Sequence, residues 1–180
     1  MKDVSYHILD IVQNSLHAGA DKIFVDVSEE IKKGILGLKI KDNGMGMTME
    51  EINAATDPFY TTSVTKKVGL GLPLLRQNAE QTGGSFHIQS AKNHGTVVFA
   101  EFNSFHIDMI PMGDLALTFK TLVAMNPEKD FVYRHVRDDR EFIVDTAEIR
   151  RELDGIPLNT HEVLEYITNL IQESLKALSN

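Results

Sequence analysis

A chain of 180 residues with 42% apolar residues can bury a real core, as one domain or as one domain with a substantial extension. A net charge of −8 argues against a general nucleic-acid binder, and the lack of cysteine removes disulfide frameworks and thiolate metal sites. No apolar run approaches the roughly 18 residues that span a bilayer, and Met1-Lys2-Asp3-Val4 does not start a signal peptide, so no membrane is expected and a reducing cytoplasm is.

Residues 3–18 read as a helix, with Val4, Ile8, Ile11, Ser15 and Leu16 at the spacing of a buried stripe. At about 100° per residue Asp10 and Asn14 lie about 40° apart. His7 and His17 flank them on a polar stripe expected to point away from the core. Gly19 fits a left-handed helix stop. Strands are expected over 22–28 and 35–41, joined by a turn at Lys32-Lys33-Gly34. Asp42 then ends the second strand as the glycine loop Asp42-Asn43-Gly44-Met45-Gly46 begins.

Thr48-Met49-Glu50-Glu51 is a capping-box pattern that starts a short helix to about Ala55. Residues 57–68 lack periodicity and read as a long, polar, mobile segment. A helix follows from Gly69 to about Gln81, then strands over 85–90 and 96–103 around an Asn93-His94-Gly95 turn. The order predicts an α+β two-layer sandwich, with helices on one face of a mixed or antiparallel sheet. Beyond it, 114–125 looks helical, 131–136 and 141–144 look like a hairpin, and 160–178 is an amphipathic helix. Residues 1–103 carry a net charge of −2 and 104–180 carry −6, and the shift suggests a boundary at Asn103-Ser104. The second part is expected to be an α/β extension that packs on the first.

Three of these stretches carry chemistry. An Asn on a helix can give magnesium one oxygen ligand while phosphates and waters give the rest. A carboxylate buried at a strand end needs a donor, and the 6-amino group of adenine is one. Gly44 and Gly46 let backbone approach a base and take positive φ. The Gly69-Leu70-Gly71-Leu72 turn puts backbone amides at a helix start, where phosphates sit. Each residue also has a plainer reading: Asn14 as a solvated surface residue, Asp42 as a turn former, Lys66 and Lys67 as solvated loop.

Residues 1–103 resemble the GHKL nucleotide-binding domain, the Bergerat fold of sensor histidine kinases, MutL-type ATPases, type II topoisomerases and a heat-shock chaperone. Asp10-Ile-Val-Gln-Asn14-Ser-Leu-His17-Ala-Gly-Ala20 resembles its N box. Asp42-Asn-Gly44-Met-Gly46 resembles the first glycine box, Gly69-Leu-Gly71-Leu72 the second, and Gly95-Thr96 the terminal element. The resemblance implies ATP and Mg²⁺ as ligands: Asn14 on the metal, Asp42 on adenine, and Thr96 on the same adenine edge through a water.

Asp10 stands where the family usually has a longer Glu that orients or deprotonates a nucleophile, so a catalytic and a structural role both stay open. His17 departs from both the kinase and the mismatch-repair patterns and either touches a phosphate or caps the helix. Pro58-Phe59-Tyr60-Thr61-Thr62, then Lys66-Lys67, looks like the ATP lid of histidine kinases, with Phe59 as a hinge anchor and a lysine, Lys67 or its neighbour, near the phosphates.

The N box starts so near residue 1 that no phosphoacceptor hairpin is expected ahead of it. His161-Glu162 resembles an acceptor motif only superficially, because Asn159-x-x-Glu162 is also a capping box. The resemblance therefore implies a kinase that transfers phosphate to a separate partner protein. The other reading is a nucleotide-gated ATPase or binding module that recruits a partner without phosphorylating it.

Overall fold

The computed structural model describes residues 3–57 and 71–179. Helix α1 (Val4–His17) starts at Asp3, whose side chain accepts from the Tyr6 amide, and ends at Ala18 with Gly19 left-handed at φ +75°. Strands β1 (Lys22–Glu30) and β2 (Ile35–Asp42) follow, joined by a 3-10 turn at Ile31–Lys33 and a left-handed Gly34. The Thr48 capping box opens α2 (Met49–Thr56), with both reciprocal bonds formed. Then come α3 (Gly71–Gln81), β3 (Ser85–Ser90) and β4 (Thr96–Asn103).

The second half supplies α4 (Leu115–Met125), β5 (Asp130–Arg137), β6 (Arg140–Asp145), α5 (Thr146–Glu152) and α6 (His161–Ser179). All six strands form one sheet in the order β3-β4-β2-β1-β5-β6. Every pair is antiparallel except β1 with β5, which is parallel.

Burial alternates along the strands, as period-2 side chains require when one face is covered. Ile23, Val25 and Val27 of β1 and Leu36, Leu38 and Ile40 of β2 point into the core, while Phe24, Lys39 and Lys41 are exposed on the other face. Val4, Ile8, Ile11 and Val12 of α1 join them, with Leu75 of α3, Phe119 and Leu122 of α4 and Ile167 and Ile171 of α6. Burying each large aliphatic contributes about 1.5–3 kcal/mol. Sheet and core both run through Asn103-Ser104. The two-layer α+β sandwich is thus one sheet under one layer of helices, extended by the second half of the chain.

The differences from expectation each have a physical cause. β1 runs two residues longer than its composition suggests, because Glu29 and Glu30 pair with Leu36 and Ile35 and Glu29 also pairs with Arg137 of β5. Two ladders outweigh the poor strand propensity of the acidic pair. Helix α5 has only two turns, too short for periodicity to reveal. Its signal was Asp145, which caps Ala147 N–H, followed three residues later by Glu148. At α6 the Thr160 carbonyl takes the first helical bond from Leu164, so the helix starts one residue later than an Asn159 cap would place it. Among the described residues, no helix is long and apolar enough to cross a membrane.

Candidate functional site

Three segments meet at the C-terminal end of β2. The Asp42 carboxylate, only 6% exposed, accepts the Gly44 amide at 2.9 Å and the Thr96 amide at 3.1 Å on Oδ1. Its Oδ2 accepts the Ser15 hydroxyl at 2.7 Å. A carboxylate has about four lone-pair positions, so three internal donors leave one for another hydrogen atom. Ser15 lies on the buried stripe of α1, where its position alone reads as small-residue packing. Nothing local in the sequence ties it to a residue 27 positions later. Thr96 reaches Asp42 through its backbone, while its hydroxyl shares a 2.9 Å bond with Ser90.

The glycine loop is tied to the end of α1. Asn43 Oδ1 accepts the amides of Asp21 and Lys22, each at 2.9 Å, and Met45 donates to the Ala18 carbonyl at 2.9 Å. Gly46 is left-handed at φ +63°, and a Cβ there would overlap the Ala91 carbonyl. Gly44 is not left-handed, contrary to the expectation of positive φ at both glycines. It is buried against Ala18, whose carbonyl would lie 2.9 Å from an added Cβ. Both glycines therefore answer to neighbours within the chain.

On the outer side of α1, Asn14 is exposed one turn after Asp10. Burial pushes the Asp10 carboxyl up from its ordinary value, and the neighbouring Asn14 amide opposes that shift. Asp10 is half-buried and sits directly against Gly71, the first residue of α3. His17 is exposed in the last turn of α1, and Leu72 is partly buried on the core. Phe59, Lys67, Gly69 and Leu70 lie outside the described residues.

His7 does not belong to a solvent-facing stripe. It is fully buried, and its Nε2 meets the Asn78 side-chain nitrogen on α3 at 2.8 Å. Its Nδ1 has no partner among the described residues, and burial lowers its pKa to about 4. Helix α1 packs on the sheet and on α3 at once, so two of its faces are covered. Among the described residues no group of three or more His, Asp or Glu could hold a metal by themselves.

The family described as histidine kinase-, DNA gyrase B- and HSP90-like ATPase matches residues 2–105. The chain is 30% identical over 91 residues to sensor histidine kinase ZraS of Klebsiella oxytoca, spanning 50% of this chain and 20% of that protein. It is 35% identical over 66 residues to the DNA mismatch repair protein MutL of Thermotoga maritima, spanning 37% and 12%. The chain thus spans a fifth or less of these curated relatives. The Aquifex aeolicus MutL ATPase domain complexed with ADP has a similar fold at a TM-score of 0.50 and 16% identity, covering 86% of this chain and 68% of that one. The N-terminal domain of a DNA repair protein is similar at a TM-score of 0.56 and 12% identity, covering 80% and 52%. Family match, fold and the motif residues converge on one assignment: the chain belongs to the histidine kinase-, DNA gyrase B- and HSP90-like ATPases, the ATP-binding GHKL class.

Proposed function

We propose that this protein binds Mg-ATP between α1, α3 and the end of β2 and passes phosphate to a separate partner protein. The observation that carries the nucleotide reading is the buried Asp42 carboxylate, with three internal donors in place and one acceptor position left. An adenine 6-amino group supplies that fourth hydrogen, and guanine carries an acceptor there instead. The donor set suits magnesium as well. That ion binds through one or two protein oxygens plus phosphates and water, so one exposed amide, Asn14, suffices without an all-protein cage.

In this reading Asp42 selects the base and Asn14 holds the metal ion. Asp10, its carboxyl raised by burial, orients or deprotonates the attacking group. The amides at the start of α3, Gly71 and Leu72 among them, and the exposed His17 lie toward the phosphates. Bound Mg-ATP would supply the transferable γ-phosphoryl group. Residues 1–103 form the nucleotide-binding part, and 104–180 form an α/β extension that packs on it and continues its sheet. The setting is the cytoplasm, consistent with a chain that has no cysteine.

A second reading is a nucleotide-gated ATPase that recruits a partner without phosphorylating it, favoured by the identity to MutL across 66 residues. Incubating the protein with γ-labelled ATP and cell extract separates the two. Label on a protein supports transfer, and label only in free phosphate supports the gated ATPase. No turnover and no ATP binding would sink both.

A further inference from the structure

We propose that Gly71 is a positioning residue for the Asp10 carboxylate: lacking a side chain, it opens in the first turn of α3 the slot that holds Asp10. The catalytic consequence rests on the reading of Asp10 given above, whereas the slot itself does not.

The three atoms nearest to a Cβ built on Gly71 all belong to Asp10: Oδ2 in outright overlap, Cγ at 2.7 Å and Oδ1 at 3.5 Å. Backbone conformation does not explain this glycine. Gly71 is helical and is not among the left-handed glycines, and alanine is the better helix former. Phosphate contact through the amide does not require it either, because alanine carries the same N–H. What remains is the carboxylate occupying the space a side chain would take. Helices α1 and α3 are also joined by the part-buried His7–Asn78 bond, one turn before Asp10 on α1 and two turns after Gly71 on α3. That bond fixes how α3 lies on α1 and so where Gly71 meets Asp10. Asn14 lies one turn further along α1. The carboxylate thus occupies a gap in the neighbouring helix.

The test compares wild type, Gly71→Ala, Asp10→Ala and the double variant, by thermal midpoint without nucleotide and by phosphate release over a range of Mg-ATP concentrations. In the native background Gly71→Ala should lower the midpoint by about 4 °C or more. In the Asp10→Ala background the same change should leave it unchanged or raise it, because the overlap is gone and alanine favours helix. Turnover at saturation should fall about tenfold or more in Gly71→Ala with KM nearly constant, and should not fall further in the double variant. An equal loss of midpoint in both backgrounds overturns the slot. If Gly71→Ala alone does not fold, the double variant should fold, and its failure to do so overturns the proposal equally. If the midpoints behave as expected but Asp10→Ala turns over normally, the slot stands and the catalytic reading of Asp10 fails.

Discussion

The Ser15 hydroxyl donates to Asp42 Oδ2 across 2.7 Å, joining the buried face of α1 to the end of β2. This bond and the two backbone amides on Oδ1 hold the carboxylate in one orientation before any ligand arrives. Hydrogen bonds to charged groups contribute about 1.5–3 kcal/mol. Ser15→Ala should therefore weaken ATP binding by about tenfold or more in calorimetry, in a protein that stays folded.

Asp42→Asn should remove detectable ATP binding and leave the fold intact. The amide oxygen can still accept from Gly44 and Thr96, and the amide nitrogen can donate to Ser15 Oγ, so the interior stays satisfied. Its remaining hydrogen would then face the adenine amino group, donor against donor, at a cost of about 1–3 kcal/mol or more. Calorimetric ATP binding equal to wild type by the folded variant would reject the base assignment.

Asn14→Ala should separate nucleotide from metal. ADP without magnesium should bind about as before, while the gain in ATP affinity on adding magnesium should vanish. An equal magnesium effect in both proteins would make Asn14 an ordinary surface residue.

Asp10→Asn should keep Mg-ATP affinity and lose turnover by about 10²–10⁴-fold, the usual scale of general-base catalysis. It should also stabilise the nucleotide-free protein at neutral pH. Burial raises the folded carboxyl above its unfolded value, so the charged form weakens the fold at high pH. That penalty fades as pH falls through the raised folded pKa and is gone below the unfolded one. The stability gain of the variant should shrink over the same window in urea titrations.

His7 has the opposite linkage. Its pKa, near 6.5 when unfolded, is lowered to about 4 in the fold, so its stability contribution is complete above 6.5 and is lost toward pH 4. A depression of that size corresponds to about 3 kcal/mol lost on acidification. Replacing His7 by Leu should flatten this acid limb between pH 7 and 4. An unchanged pH dependence of urea midpoints would remove His7 as its source.

What the sequence disclosed was what is written locally. Helical spacing placed Asp10 beside Asn14, the Thr48 box gave α2, and Asp42 with its glycines marked the end of β2. What stayed hidden depended on contacts far along the chain. Ser15 acquires its role only when β2 arrives beneath α1. His7 looked solvent-facing because a helical projection assumes one buried face, and α3 covers a second. The contact between Gly71 and Asp10 stayed hidden because the two lie 61 positions apart.

The parallel pairing of β1 with β5 joins residues about 108 positions apart, Lys22 with Asp130 through Glu29 with Arg137. Closing so long a loop is entropically slow, so this ladder should form late in folding. Until it does, β1 presents a free hydrogen-bonding edge along a strand whose Ile23, Val25 and Val27 are strongly β-forming. Such an edge recruits other chains. A fragment cut at Asn103 would expose it permanently, and its expected fate is self-association, even though Asp10, Asn14 and Asp42 are all present in it.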